Sequence, residues 1–182
     1  MFTNFFVSTR SNFRAKLLQI WNISKLKSSP LLHLTLLGCQ QDWVLHGNSC
    51  YYVICSPTVK WSDARTMCQD LRGDLAIIRS QDENKFILWL LNNQTMVKGE
   101  GAWLGLNRNS SAGNAFYWID DTPLAGHFSA WANGEPNNFG EECVQIYAAS
   151  YHSAGEWNDM ECSLPVSEQE RAPFVLCQIR LV

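Results

Sequence analysis

Glu135-Pro136-Asn137-Asn138-Phe139-Gly140-Glu141-Glu142 runs directly into Cys143, and Trp157-Asn158-Asp159 stands just ahead of Cys162. Oxygen-bearing side chains dominate both segments. Calcium is a hard cation that takes about six to eight oxygens from carboxylates, amides and backbone carbonyls in flexible geometry. Glu135, Asn137, Asn158 and Asp159 are all of that type, and Glu141-Glu142 adds carboxylates between the two motifs. No Cys or His pair interleaves with them, which disfavours zinc. Glu-Pro-Asn alone would read as a solvated turn, because Pro and Asn are common turn formers. The flanking cysteines change that reading, since they place both acidic motifs on one stapled loop.

The rest of the chain suits a compact domain with an extension. It has 182 residues, 46% hydrophobic and 17% charged, enough for one real core. Eight Trp, nine Phe and five Tyr make that core aromatic. A net charge of −3 lacks the basic footprint of a nucleic-acid binder. Seven cysteines, at 39, 50, 55, 68, 143, 162 and 177, include no close Cys-x-x-Cys pair. They read as structural disulfides in an oxidising compartment, with one left over, and the residues alone do not choose the pairing. Secretion is the expectation drawn from them. Residues 1–38 read as a poorly ordered extension or an atypical signal, with Lys25 and Lys27 ahead of the apolar run Leu31–Leu37. That run is too short to span a bilayer as a helix.

From Cys39 the pattern is that of a packed domain. Gly47-Asn48 between Trp43-Val44-Leu45 and Tyr51-Tyr52-Val53-Ile54 predicts a hairpin. Trp61, Ala64, Cys68 and Leu71 share one helical face, with Gly73 placed to end the helix. Ser80-Gln81-Asp82-Glu83 is a capping box for a second helix, whose Phe86, Ile87, Leu90 and Leu91 line one stripe up to Asn92-Asn93. Beyond it come short apolar runs at Trp103–Leu106, Phe116–Ile119, Cys143–Tyr147 and Phe174–Cys177, separated by long polar loops. These predict strands. The stretch from Asp120 to Glu142 is long for a connection without regular structure, so something besides core burial must order it.

In order, spacing and motif, residues 39–180 resemble the long form of the C-type lectin-like domain. The resemblance is carried by Cys39 and Cys50, the helix-borne Cys68, Trp103-Leu104-Gly105-Leu106, Glu135-Pro136-Asn137, Trp157-Asn158-Asp159 and Cys177. It implies an α+β fold with two helices, two small antiparallel sheets and a long calcium-binding loop region. It implies disulfides Cys39 to Cys50, Cys68 to Cys177 and Cys143 to Cys162, a cis peptide before Pro136, and one Ca2+. The implied calcium and carbohydrate ligands are Glu135, Asn137, Glu141, Asn158 and Asp159. In this family Glu-Pro-Asn goes with mannose-type sugars, and Gln-Pro-Asp in its place with galactose. The implied function is therefore calcium-dependent binding of glycans or glycoproteins carrying mannose, fucose, glucose or N-acetylglucosamine.

Two features depart from the family pattern. The segment from Glu135 to Cys143 is one residue shorter than in many relatives, so the acid ahead of the cysteine is Glu141 or Glu142. Glu141 is preferred, because a disulfide-anchored strand holds its register better than a loop holds its length. The segment Asn107-Arg108-Asn109-Ser110 lacks the acids an auxiliary calcium site wants, which leaves one calcium. Cys55 is then the odd cysteine, able to link two chains into a homo-oligomer or to sit as a buried inert thiol. Asn22, Asn93 and Asn109 head glycosylation triplets. His127 and Phe139 are candidates to touch a sugar ring. The rival reading is a protein-binding or structural module of the same fold without glycan recognition. An enzyme is disfavoured, because no nucleophile stands with a base at motif spacing.

Overall fold

The computed structural model describes residues 38–56, 60–93, 101–109, 113–148, 152–164 and 173–181. The expectations for the extension before residue 38, for the Asn22 triplet and for the ends of the Asn93 and Asn109 triplets lie outside those residues. Contacts divide the chain into two units, Met1–Gln41 and Asp42–Val182. Of the first, only residues 38–41 are described, as bends and a turn around the disulfide-bonded Cys39.

Among the described residues of the second unit the apolar runs become eight strands. They are β1 (Val44–His46), β2 (Ser49–Ile54), β3 (Asp74–Leu75), β4 (Gly101–Asn109), β5 (Ala115–Trp118), β6 (Cys143–Tyr147), β7 (Trp157–Met160) and β8 (Phe174–Arg180). The helices are α1 (Trp61–Asp70) and α2 (Gln81–Asn93). β1 and β2 form the expected hairpin over Gly47-Asn48, with His46 opposite Ser49.

The two expected antiparallel sheets are antiparallel ladders joined into one mixed sheet of order β1-β2-β8-β4-β6-β7, with β3 on β8 and β5 on β4. The joint is parallel, pairing Ala102 with Phe174 and Trp103 with Val175. β8 thus lies between β2 and β4, and it is buried from Phe174 through Ile179. That burial explains its continuous rather than alternating apolar run.

Both helices pack as their stripes predict. α1 buries Trp61, Ala64 and Cys68, and α2 buries Ile87, Leu90 and Leu91. The end of α1 differs in detail. Arg72, not Gly73, takes the left-handed conformation (φ 64°). Gly73 is needed for space, since a Cβ there would stand 2.7 Å from the Gln178 carbonyl oxygen. At the start of α2, Ser80 Oγ accepts from Glu83 N at 3.2 Å, and the Glu83 carboxylate accepts from Arg79 N at 2.6 Å. The reciprocal arm of the capping box therefore reaches one residue further back than expected.

Cys68 is bonded to Cys177, tying α1 to β8, and Cys143 to Cys162, closing the end of the β6/β7 ladder. Cys39 and Cys50 are also disulfide-bonded. Cys55 is free and exposed, so it is not a buried thiol.

Candidate metal centre in the long loop

Within the long loop, residues 130–132 are held by strand β7, and Glu135 is tied back to them. Trp157 N donates to Ala130 O at 2.7 Å, Ala132 N donates to Trp157 O at 2.8 Å, and Glu135 N donates to Ala132 O at 3.0 Å. The indole of Trp157, fully buried against Trp118, Phe128 and Trp131, fixes that register. A second cross-link comes from Asn84 on α2, which accepts from Trp157 Nε1 and donates to Gly155 O. Two residues beyond Trp157 on the same strand face lies Asp159, fully buried.

The turn at Glu135-Pro136-Asn137 is therefore delivered against Asp159. The Glu135–Pro136 peptide is cis, as the resemblance implies. Asn137 N donates to Asp159 Oδ1 at 3.2 Å. Glu135 lies within hydrogen-bonding range of both Asp159 and Asn137, and its Oε2 is buried with no hydrogen-bond partner. Burial first, and then the Asp159 and Glu141 carboxylates beside it, push the Glu135 carboxyl above its ordinary range, against the Asn137 hydrogen bond. Glu141 is raised in the same way, by burial and then by Asp159, with Glu161 adding and with Asn138 and Arg108 opposing.

The two glutamates ahead of Cys143 differ in surroundings. Glu142 is exposed, and its carbonyl accepts from Arg108 N at 2.7 Å, continuing the β4/β6 ladder beyond Asn107 opposite Cys143. Glu141, half-buried, is the one that feels Asp159. Asn158 is half-buried beside Asp159 and opposite Gln145, whose Oε1 is buried without a partner.

Glu135, Asn137, Glu141 and Asp159 are thus brought together directly, with Asn158 adjacent on β7. Among the described residues no three His, Cys, Asp or Glu side chains close into a ready metal cage. Glu135 and Glu141 each feel the Asp159 carboxylate, and Glu135 also feels Glu141, as like charges gathered at one turn. The donor set nonetheless fits a hard cation: it is all oxygen and net negative, and it contains one buried carboxylate oxygen with no hydrogen bond.

The sequence marks Arg108 only as the absence of an acid. Its side chain is 8% exposed, and Nη2 pairs with Asp159 Oδ2 at 2.8 Å. Nothing local in Asn107-Arg108-Asn109 says where that side chain reaches. His127 is exposed, and Phe139 is 77% exposed with its ring 5.3 Å from the Arg108 guanidinium.

The Lectin C-type domain profile matches residues 57–167. CD209 antigen-like protein 2 of Macaca mulatta is 34% identical over 127 residues, covering 69% of this chain and 45% of that protein. The chain spans less than half the length of the first curated relatives it matches. Among solved structures, the C-type lectin domain of murine dendritic cell inhibitory receptor 2 in complex with N-glycan superposes with TM-score 0.65 at 27% identity, covering 79% of this chain and 99% of that one. The cow CD23 carbohydrate-recognition domain, determined in the presence of GlcNAc2Man3 oligosaccharide, gives TM-score 0.61 at 29% identity over 79% and 97%.

These relatives correct the expectation of secretion. The CD209-type proteins are type II membrane receptors, in which a domain like this one is part of a longer chain. Disulfides mark an oxidising side of the membrane, which receptor ectodomains share with secreted proteins. Among the described residues no helix is long and apolar enough to cross a membrane.

Proposed function

Because the chain belongs to the Lectin C-type domain family, whose members are non-enzymatic carbohydrate-binding proteins and generally calcium-dependent, we propose that it binds glycans through a calcium ion held by Glu135, Asn137, Glu141, Asn158 and Asp159. The recognition unit is residues 39–180, and the sugars are those with neighbouring equatorial hydroxyls, such as mannose, fucose, glucose and N-acetylglucosamine. The observation that carries this reading is the meeting of three carboxylates, one with a buried unsatisfied oxygen, at the Glu-Pro-Asn turn.

When bound, calcium supplies coordination positions that two vicinal sugar hydroxyls can fill. The chain's own part is hydrogen-bonding order. Asn137 and Asn158 amides donate to hydroxyl oxygens, while Glu135 and Glu141 carboxylates accept hydroxyl protons. Alternation of donors and acceptors selects the hydroxyl geometry. Asp159, buried and tied to Asn137 N, anchors the ion rather than the sugar. Single-site affinity of this kind is weak, so clustered copies would give useful avidity.

A glycan array with and without calcium tests the proposal. Mannose-type binding that disappears in chelator is expected, and binding that persists in chelator or prefers galactose would overturn it. A module of the same fold that does without calcium is the second reading, favoured by the Arg108–Asp159 ion pair, which already partners one of the acids. Calorimetric titration with calcium separates the two, since that module would give no saturable heat.

A further inference from the structure

Arg108 gathers oxygens from three separate segments. Its Nε donates to Glu141 O at 3.0 Å, Nη1 to Asn114 O at 3.3 Å, and Nη2 to Asn138 O at 3.2 Å and Asp159 Oδ2 at 2.8 Å. Its plane lies 4.3 Å from the Phe116 ring and 5.3 Å from that of Phe139, so an aromatic from β5 and another from the loop flank it. Its own backbone N–H holds Glu142 O. A nearly buried cation surrounded by main-chain carbonyls and a carboxylate does what a bound metal ion does for a loop: it satisfies oxygens that would otherwise need water, at fixed positions. Two of those carbonyls, on Asn138 and Glu141, belong to the turn that carries the proposed calcium ligands.

We propose that Arg108 is a built-in cation that holds residues 137–142 in their binding arrangement without calcium, standing where the acid-poor Asn107–Asn109 segment provides no auxiliary metal site. Arg108 is a positioning residue: it acts on Glu141 and Asp159 and not on a sugar. The inference borrows from the proposed function only the description of the neighbouring acids as calcium ligands. Loop order in chelator is measurable whether or not that description holds.

The test is amide hydrogen exchange of the full chain in chelator and in saturating calcium, for wild type, Arg108→Met and Arg108→Lys. In chelator, wild-type amides at 137–142 are expected to be protected. Arg108→Met should exchange there about tenfold to a hundredfold faster, the scale of one lost hydrogen bond to a charged group. Arg108→Lys, which keeps the charge but loses the planar fork, should fall between. Amides of α2 and β8 should be unchanged in both variants, which separates local loosening from global destabilisation. Unprotected wild-type amides at 137–142 in chelator would overturn the proposal without reference to any variant, and so would equal protection in Arg108→Met. Protected loop amides in a wild type that shows no calcium heat would sink the calcium reading and leave the role of Arg108 standing.

Discussion

Glu135 is the residue on which the site's electrostatics turn, because its carboxyl meets those of Asp159 and Glu141 while the Arg108 guanidinium pairs with Asp159 rather than with it. Glu135→Gln removes one of three like charges while keeping the side chain's size. Without calcium, the variant should be more stable than wild type, by roughly 2–4 °C in melting temperature if the relief is about 1 kcal/mol. In calcium the order should reverse, because wild type gains binding stabilisation that the variant has lost. Differential scanning fluorimetry in both buffers checks the crossing. Equal melting temperatures in chelator would mean that the three carboxylates do not repel. At this scale the sequence was informative for the acids and amides that meet at the turn and silent on Arg108, the cation that pairs with Asp159. Glu135, Asn137 and Asp159 announce themselves through motif and residue type, and Glu141 through the anchoring of its strand at Cys143. Arg108 is 30 and 33 positions from the two turn carbonyls it holds, and only the β4/β6 register brings it there.

Among the elements, β4 carries the greatest constraint. Trp103, Leu104 and Leu106 are fully buried, and the strand pairs with β5, β6 and β8. Its first residue has no room for a side chain, since a Cβ on Gly101 would stand 2.0 Å from Ile146 O and 2.9 Å from Ile146 C. Backbone cannot yield as a flexible side-chain end can. Gly101→Ala should therefore cost about 1–3 kcal/mol or more by forcing β4 away from β6. Equilibrium urea unfolding should show a lower midpoint with an unchanged slope, and an unmoved midpoint would show that the strands part freely there. The helices were legible because a 3.6-residue stripe is a local signal: Trp61, Ala64 and Cys68, then Ile87, Leu90 and Leu91. The parallel joint between β4 and β8 was not, because it pairs segments over seventy residues apart with no local mark in either. Gly73 shows the same limit at a single position. Its presence was readable as a helix stop, but its reason is the approach of the Gln178 carbonyl from the far end of the chain.

For the whole molecule, the raised carboxyls lead to the prediction that stability depends on pH in opposite directions with and without calcium. Glu135 and Glu141 titrate above their ordinary value of 4.5 in the metal-free fold. The folded state then binds protons more readily than the unfolded one, so stability falls as pH rises from that ordinary value through the raised folded values. The penalty is absent below the ordinary value and complete once the pH has passed the raised folded values. Asp120 behaves differently. Burial opposes its ionisation, but hydrogen bonds from Thr122 and Arg79 outweigh it and hold the carboxyl below 3.8. Its contribution is intact until the pH drops under that value, so it does not disturb the range above 4.5 where Glu135 and Glu141 titrate. In chelator, the melting temperature should therefore rise as the pH is lowered from 7 towards 5. In saturating calcium it should fall over the same interval, because protons compete with the ion for the same oxygens and binding stabilisation is lost. The two melting curves should converge on the acid side, and immobilised mannose should release the domain over that range. Parallel curves in the two buffers would show that the ion, if bound, does not sit on Glu135 and Glu141.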